Sequence, residues 1–382
     1  MVSHKKTEQD PADKQIPLEY LFAERLELKS AESALKKDVM QTQMLWELDE
    51  ATGPIYSLGE RDPIFWVVER PPDHTYLFGT QRETSAQIQQ WVESPSDECI
   101  YWLRGETGTG KTTIAAAIAK AYIRGCRLNH KLSQSAIPIL GGSSFVDRDK
   151  HQRGDATNFL ALICMCLVGK LPGLVDDIVH AMRMNPEILS MALEEMWHRL
   201  ILDPLLALEK TSTVPPATFL VVIDGLNVCE NTDRVSLILK LLAEVRQLET
   251  IRLRFLVTTT PDVPMPEGMP KGVVHEQVLE RITAAHNDPS NDIHRYITEQ
   301  MLKIHLRERL EKCPADCLEE GWPGTAVIER LVKHSDGLFG KASIACRYLG
   351  QRPVRNKEFL DKKVQQILYG EDISRYLERD LF

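Results

Sequence analysis

The sequence predicts an α/β protein in which a parallel sheet is covered by helices on both faces. Nearly continuous apolar runs such as Thr218–Ile223 are typical of strands that are buried on both sides. Helical patterns alternate with these runs, as in parallel sheets, where a helix usually forms each crossover. A glycine-rich loop, Gly105–Gly110, also joins an apolar run to an Ala-rich helical segment. We expect a helical N-terminal arm before this core and an α-helical subdomain after it.

The composition is that of a globular protein. Of the 382 residues, 43% are hydrophobic and 26% are charged, which argues against wholesale disorder and against a membrane protein. The formal net charge is -9, so the chain has no global attraction to polyanions. We therefore expect no nucleic-acid partner, and any anionic ligand must be met by a local site.

The sequence contains no recognisable targeting or membrane segment. Its first residues, Met1–Asp10, are polar and lack the apolar core of a signal peptide. The longest apolar run, Phe159–Val168, is far shorter than the ~20 residues that span a bilayer as a helix. The 8 cysteines are too few and too irregularly spaced for a disulfide framework. We predict a cytoplasmic protein without an integral membrane segment.

The N-terminal arm is expected to comprise residues 1–60. Its helical pattern covers residues 17–50 and is interrupted at Gly53, Pro54 and Gly59. Two interpretations remain open for this arm. It packs on the body of its own protein, which we favour, or it docks on a partner.

The core is expected over residues 75–285 and the helical C-terminal region over residues 286–382. Core strands are predicted at the apolar runs Ile100–Leu103, Thr218–Ile223 and Phe255–Val257. Core helices are predicted at Glu83–Val92, after Lys111, and at Thr157–Val168, Leu189–Leu208 and Arg234–Leu248. In the C-terminal region, helical patterns cover Asp292–Glu311, Thr325–His334, Lys341–Leu349 and Lys357–Leu368.

The most specific feature is a phosphate-binding loop (P-loop) with the pattern G-x-x-x-x-G-K-[ST]. It consists of Gly105, Glu106, Thr107, Gly108, Thr109, Gly110, Lys111 and Thr112. The glycines let the backbone wrap around phosphate oxygens above the positive end of the following helix. Lys111 is expected to reach the β- and γ-phosphates, and the Thr112 hydroxyl to ligate Mg²⁺. With the adjoining Thr113, these residues predict a site for a nucleoside triphosphate, ATP/ADP or alternatively GTP.

A P-loop needs an acidic residue at the end of a neighbouring strand to hold Mg²⁺. Asp224 meets this requirement because it directly follows the apolar run Phe219–Ile223. In open parallel sheets, ligands bind at the carboxyl ends of the strands. Asp224 is therefore predicted as a Mg²⁺ ligand and as a catalytic residue. Trp102, close to the loop, is expected to pack in the sheet rather than to stack on a base.

Further motifs occur in order around the loop: Gly79–Arg82 with Trp91, Tyr101–Gly105, Gly142–Phe145 with Asp147–Asp149, Leu202–Leu205, Thr258–Pro261, and Ser335–Phe339 with Ala342 and Ala345. Over roughly residues 75–350 they resemble the NACHT group of signal-transduction (STAND) ATPases, in particular fungal NOD-like receptors and the nephrocystin-like N-terminal domain. The resemblance implies a P-loop NTPase core and a partly winged-helix-like C-terminal region. It also implies a second strand at Gly142–Phe145 and a sensor strand in which Thr258 contacts the nucleotide.

The resemblance further implies a switch between a closed monomer and an open oligomer, driven by ATP/ADP exchange. In that family the switch acts on protein partners through an N-terminal effector and a C-terminal repeat array. No repeat array is recognised before Phe382. The chain is therefore expected either to be a fragment or to delegate sensing to another protein.

Two positions depart from the family pattern. The family's Mg²⁺ strand typically continues Asp-Ala-Leu-Asp-Glu-Cys-Asp/Glu, but Asn227 and Val228 replace the second acidic pair here, and only Glu230 remains as a catalytic candidate. The family's sensor is commonly Thr-Ser-Arg-Pro, but Thr260 replaces its arginine. Neither an amide nor an isopropyl group activates water as a carboxylate does, and a hydroxyl does not stabilise phosphate charge as a guanidinium does. We expect weak hydrolysis.

Three functions are compatible with these residues. The favoured one is an ATP- or GTP-binding signal-transduction switch. The alternative is a nucleotide-stabilised scaffold that acts only through protein contacts, an interpretation supported by Asn227, Val228 and Thr260. A small-molecule P-loop kinase is disfavoured, because no Arg-rich lid segment follows Asp224.

Overall fold

The computed structural model describes residues 76–77, 79–125, 138–145, 156–185, 187–211, 216–229, 232–285, 287–288, 290–311, 322–351 and 357–369. The chain divides into two units, Met1–Gly53 and Pro54–Phe382, and every described residue belongs to the second. The predicted arm over 1–60, the motif Asp147–Asp149 and the candidate Glu230 lie outside the described residues.

The core of the described structure is a parallel sheet of five strands. They are β1 (Ile100–Gly105), β2 (Ile139–Phe145), β3 (Ala217–Asp224), β4 (Ile251–Thr259) and β5 (Val274–Leu279). Every pairing is parallel, and the strand order is β2-β3-β4-β1-β5. The predicted fold class is therefore confirmed. Because β4 lies between β1 and β3, its carboxyl end separates the P-loop from Asp224.

Apolar side chains fill both faces of the sheet. On one face, Tyr101 and Leu256 belong to a buried cluster that includes Ile118 of the helix after the P-loop. On the other face, the ring of Phe255 lies 6.4 Å from that of Trp197. This two-sided burial explains why the central strands are continuously apolar in sequence. Trp102 is fully buried in β1, and its Nε1 donates to Thr259 Oγ1 at 2.9 Å, which confirms that it packs in the sheet.

Helices surround the sheet and continue beyond it. Those around the sheet are α1 (Arg82–Glu93), α2 (Lys111–Ile123), α3 (Ala156–Lys170), α4 (Val175–Met184), α5 (Leu193–Trp197), α6 (Asp203–Thr211), α7 (Leu226–Cys229) and α8 (Thr232–Ala243). Those beyond it are α9 (Asp292–Glu311), α10 (Thr325–His334), α11 (Phe339–Gly350) and α12 (Lys357–Leu368). None of the helices in the described ranges is long and apolar enough to cross a membrane.

Two predicted helices differ from the structure. The single helix predicted at Leu189–Leu208 is divided by a π turn, His198–Leu202, between α5 and α6. Pro204 follows this turn and lacks the N–H that a regular helix would bond to residue 200, so the wider turn accommodates it. The helix predicted at Arg234–Leu248 ends at Ala243 and continues only as a 3₁₀ turn, Glu244–Gln247.

The four C-terminal helices share one hydrophobic core. Its fully buried members come from all four helices and include Ile297, Leu331, Leu349, Leu360 and Ile367. Lys363 is also buried there, and its ammonium donates to the Tyr348 carbonyl at 2.8 Å near the end of α11. The apolar spacing along these segments is what made their helices predictable from the sequence.

Candidate functional site

The P-loop connects β1 to α2 and requires glycine at several positions. Gly108 and Gly110 have φ values of 90° and 103°, a left-handed conformation that other residues rarely adopt. At Gly105, a Cβ atom would lie 2.6 Å from the Leu279 carbonyl oxygen of β5. The backbone therefore explains these three glycines without reference to a ligand. The strand–loop–helix arrangement predicted from the sequence is present.

Lys111 lies at the start of α2, and its side chain turns back over the loop. Its Nζ donates to the carbonyl oxygens of Gly105 and Glu106 at 2.6 and 2.8 Å. The loop is closed further by the Thr109 hydroxyl, which donates to the Glu106 carbonyl at 2.9 Å. The ammonium thus lies beside the helix N-terminus, where the dipole of α2 also favours an anion. Both groups suit the binding of a polyphosphate.

Asp224 ends β3 and is held by a neighbour on β4. The Thr258 hydroxyl donates to Asp224 Oδ1 at 2.6 Å and accepts the backbone N–H of Gly225 at 2.9 Å. Asp224 is 4% exposed and Thr258 is 1% exposed. Because a hydroxyl has one proton to donate, that of Thr258 is committed to Asp224. In the structure Thr258 therefore orients the carboxylate. The nucleotide contact that the sequence predicts for Thr258 stays a prediction.

Asn227 and Thr260, which both depart from the family pattern, contact each other. Asn227, in α7, donates from Nδ2 to Thr260 Oγ1 at 2.7 Å, and its Oδ1 accepts the Thr260 backbone N–H at 3.1 Å. The Thr260 hydroxyl also donates to Asp262, and this hydrogen bond is the largest cause of the lowered pKa of that carboxyl. Asn227 and Thr260 are thus partners, and nothing in their sequence positions alone indicated this.

Mg²⁺ suits the oxygen donors that the site provides. The Asp224 carboxylate and the Thr112 hydroxyl are hard ligands of the kind that Mg²⁺ prefers, and this ion normally completes its shell with water and phosphate oxygens. Within the described ranges, no group of three or more His, Cys, Asp or Glu residues could hold a metal without such help. The residues therefore fit a Mg²⁺ ion that arrives with a nucleotide.

The turn between α10 and α11 lies directly on the P-loop. Gly340 donates its N–H to the Gly108 carbonyl at 2.8 Å. A Cβ atom on Gly340 would lie 2.8 Å from the Cα of Gly108, so the two backbones touch. Phe339 lies beside Gly110, 3.5 Å from where a Cβ atom of that glycine would be. The motif Ser335–Phe339 noted in the sequence is thus brought to the phosphate site.

An arginine that the sequence did not single out joins the P-loop to this turn. Arg281 binds Glu106 Oε2 through Nη2 at 2.6 Å and Asp336 Oδ2 through Nη1 at 2.6 Å. Lys341 also contacts Asp336, at 3.3 Å. We call Glu106, Arg281, Asp336 and Lys341 the ionic bridge. Lys341, followed by Arg281, lowers the pKa of Asp336, while Glu106 is the main cause of the raised pKa of Arg281.

A second set of contacts lies where α1 meets α9. Asp292 Oδ2 accepts the N–H of Gln81 at 2.8 Å, and Arg295 donates to the Gly79 carbonyl at 2.6 Å. These residues line a polar pocket of about 390 Å³ together with Arg82, Glu83 and Thr84 of α1 and with Ser290, which precedes α9. The motif Gly79–Arg82 is therefore fixed by the first turn of α9.

Comparisons with known proteins give a family match over part of the chain and a weak structural similarity. Residues 81–259, slightly less than half of the chain, match the family model described as Nephrocystin 3, N-terminal. No curated protein matches. Among solved structures, the one titled "Structure of C. elegans PCH-2" is similar at 10% identity and a TM-score of 0.37. The similarity covers 78% of this chain and 65% of the PCH-2 chain, so it spans less than two thirds of that protein.

The family match extends from the start of α1 to the end of β4 and includes both the P-loop and Asp224. Over these residues the chain is similar to the nephrocystin-3 N-terminal family. The parallel sheet and the strand–loop–helix at Gly105–Thr112 are those of an α/β protein with a P-loop NTPase-like core.

Proposed function

We propose that this chain binds a nucleoside triphosphate with Mg²⁺ at the carboxyl end of the sheet, between the P-loop and Asp224. ATP is the favoured ligand and GTP the alternative. The observation that carries the proposal is the P-loop itself, with Gly108 and Gly110 in left-handed conformations and the Lys111 ammonium folded over the loop at the N-terminus of α2. A cation and the positive end of a helix dipole at the same loop favour a polyphosphate.

Each residue of the site has a distinct role in this proposal. Lys111 exchanges its loop carbonyl partners for the β- and γ-phosphates, and the first N–H groups of α2 bind phosphate oxygens. Thr112 and Asp224 hold Mg²⁺, which neutralises the phosphate charge when bound. Thr113 and the glycines of the loop complete the phosphate contacts.

Hydrolysis is proposed to be slow. The amide of Asn227 occupies the position at which the resembled family has a carboxylate, and it is engaged with Thr260, which replaces the family's arginine. This arrangement supplies neither a base for water nor a guanidinium for phosphate charge. The same hydrogen bonds favour a second candidate function, a scaffold that binds nucleotide for stability and acts only through protein contacts.

The biological role that we propose is a NACHT/STAND-type signalling switch, with the nucleotide module at 75–285 and the helical region at 286–382. Support comes from the family match over residues 81–259 and from the contact between Gly340 and Gly108, which places the helical region on the loop that binds phosphate. Nucleotide exchange would then alter this contact and thereby change binding to protein partners or the formation of a homo-oligomer.

Binding measurements test the proposal. Wild type and Lys111→Ala are titrated calorimetrically with ATP, ADP and GTP in Mg²⁺, and Lys120→Ala in the last turn of the same helix is the control. We expect Lys111→Ala to weaken triphosphate binding by about 100-fold, since it removes a cation from the phosphates. Lys120→Ala should change it by less than about twofold. Equal binding by wild type and Lys111→Ala would contradict the proposal.

Sizing of the ATP and ADP complexes distinguishes the two candidate functions. A switch changes its oligomeric state or its hydrodynamic radius between the two nucleotides. A scaffold keeps the same state with both. Identical elution of the two complexes would therefore favour the scaffold.

A further inference from the structure

Thr258, in β4, and Thr260, the first residue after that strand, join the end of β4 to the segment after β3. The Thr258 hydroxyl bonds Asp224 and the N–H of Gly225, and Thr260 bonds Asn227 twice. Four hydrogen bonds therefore link residues that are 33 or 34 positions apart in sequence.

Besides these bonds, burial of Leu226 holds the segment after Asp224. Gly225 has φ of 75°, so the chain turns there at a residue with wide backbone freedom. The helix that follows, α7, spans only Leu226–Cys229 and is too short to be stable by itself. The Thr260 hydroxyl accepts from Asn227 and donates to Asp262, so its own orientation is fixed as well.

We infer that Asn227 and Thr260 form a positioning clip for the Mg²⁺ ligand Asp224. The clip fixes the register between the segment after β3 and the end of β4, and thereby keeps the Thr258 hydroxyl between Asp224 and Gly225. The inference rests on the proposed function, because it concerns the metal of that site. Asn227 and Thr260 are positioning residues, since they act on the metal through Thr258 and Asp224.

Mg²⁺ makes such positioning effective. The ion requires near-ideal octahedral geometry, so a carboxylate that turns out of line loses much of its value as a ligand. Partners that orient metal ligands typically change metal affinity by about 10- to 100-fold when they are removed. Loss of the clip should therefore reduce the increase in nucleotide affinity that Mg²⁺ provides, while the phosphate contacts of the loop remain.

The test compares nucleotide affinity in Mg²⁺ with affinity in EDTA. For each variant, the ratio of the two dissociation constants measures the metal's contribution. Asn227→Ala removes both bonds of the clip, and Thr260→Val, the milder change, removes only the hydroxyl. We expect the ratio to fall by about 10-fold in Asn227→Ala and by less in Thr260→Val, with affinity in EDTA changed by less than about twofold.

Two further variants separate positioning from general stability. Thr260→Ser keeps the hydroxyl and should restore the wild-type ratio. Asn185→Ala removes another partly buried amide hydrogen bond, from Asn185 Nδ2 to the Ala181 carbonyl, at the end of α4. It should lower stability without changing the ratio. A ratio that Asn227→Ala leaves at the wild-type value would overturn the clip.

A metal-free readout examines the same geometry. Hydrogen exchange of the Gly225 N–H, which donates to the Thr258 hydroxyl, is measured without nucleotide or metal. We expect faster exchange in Asn227→Ala than in wild type or Asn185→Ala, and unchanged exchange would overturn the clip. A wild type that binds no nucleotide would instead contradict the proposed function, and this outcome is distinct from either failure of the clip.

Discussion

The P-loop and the carboxyl ends of β3 and β4 (the β3–β4 end) lie at the same end of the sheet but are held in different ways. The P-loop is covered by the α10–α11 turn through the ionic bridge, whose side chains are 43–58% exposed. The β3–β4 end is held by hydrogen bonds of Thr258 and Asn227, with Asp224 and Thr258 almost fully buried. Exposed ion pairs contribute little and are screened by salt, whereas buried hydrogen bonds are costly to break.

The contrast separates an adjustable side of the site from a fixed one. Contacts between the P-loop and the helical region can loosen without unfolding the sheet. Contacts around Asp224 cannot be lost without disturbing a buried carboxylate. We therefore expect nucleotide-dependent movement at the ionic bridge and a constant geometry at Asp224. The following predictions test this difference from the largest effect to the smallest.

The largest effect is expected for Asp224→Asn on the fixed side. The neutral amide still accepts from Thr258 but cannot neutralise Mg²⁺, so Mg²⁺-dependent nucleotide affinity should fall by about 100-fold. Calorimetry in Mg²⁺ and in EDTA measures this. Asp233→Asn, at the exposed start of α8, is the matched control and should bind as wild type does. Full Mg²⁺ dependence in Asp224→Asn would place the metal elsewhere.

The next effect concerns the contact between two glycine backbones. In Gly340→Ala, the new Cβ would meet the Cα of Gly108 at 2.8 Å, so the turn must move away from the P-loop. We expect a loss of about 1–3 kcal/mol in the free energy of unfolding, measured by denaturant titration. Gly169→Ala is the control, because that glycine lies in α3 with no atom within 4 Å of an added Cβ. It should stabilise by about 0.5–1 kcal/mol.

A Gly340→Ala variant that is at least as stable as Gly169→Ala would show that the P-loop and α11 are not in contact. A loss confined to Gly340→Ala would support the contact and the adjustable side that it defines.

A smaller effect is expected when the ionic bridge is cut. Arg281→Ala removes both of its ion pairs, so amides of residues 336–341 should exchange about two- to fivefold faster, and high salt should erase the difference. The control is Arg199→Ala, which breaks an exposed pair with Glu195 inside the α5–α6 segment. It should leave those amides unchanged. Equal exchange in wild type and Arg281→Ala would show that the bridge does not hold the turn.

The smallest effect is a pH dependence at Asp336. Its pKa in the folded protein is lowered by Lys341 and Arg281 from an ordinary value of about 3.9. A lowered pKa stabilises the fold above the unfolded value, and that stabilisation disappears as the pH falls through the folded pKa. The difference in unfolding free energy between wild type and Asp336→Asn should therefore be present at neutral pH and vanish in acid.

Asparagine is the suitable replacement because Asp336 has φ of 51°, a conformation that asparagine tolerates well. A difference that persists below the folded pKa would assign the effect to the backbone of the turn rather than to the charge.

Much of the fold was predictable because buried segments have characteristic apolar patterns in the sequence. The P-loop carries a local pattern, and the strands that are apolar on both faces, such as β3, form continuous runs. The helices α9, α10 and α12 have the limits that their apolar spacing indicated. β5 was not predicted, since this edge strand carries His275, Glu276 and Gln277 and lacks an apolar run.

The contacts of the site were less predictable because they depend on strand register. Pairing of Ile223 with Val257 places the residues after β3 beside Thr258 and Thr260, and no local pattern contains that alignment. Arg281 lies in a polar stretch after β5 and becomes significant only through its contact with Glu106. Sequence reasoning therefore identified the P-loop and Asp224 but not the contacts that hold them in place.

The central claim is that the chain binds a triphosphate at the P-loop and retains it largely uncleaved. Single-turnover cleavage of labelled ATP by excess protein tests this most directly, with wild type and Asn227→Asp/Val228→Glu compared in Mg²⁺. The account predicts that wild type cleaves bound ATP more slowly than about 10⁻² s⁻¹ and that the double substitution accelerates cleavage. Rapid cleavage by wild type, unchanged in the double variant, would contradict it.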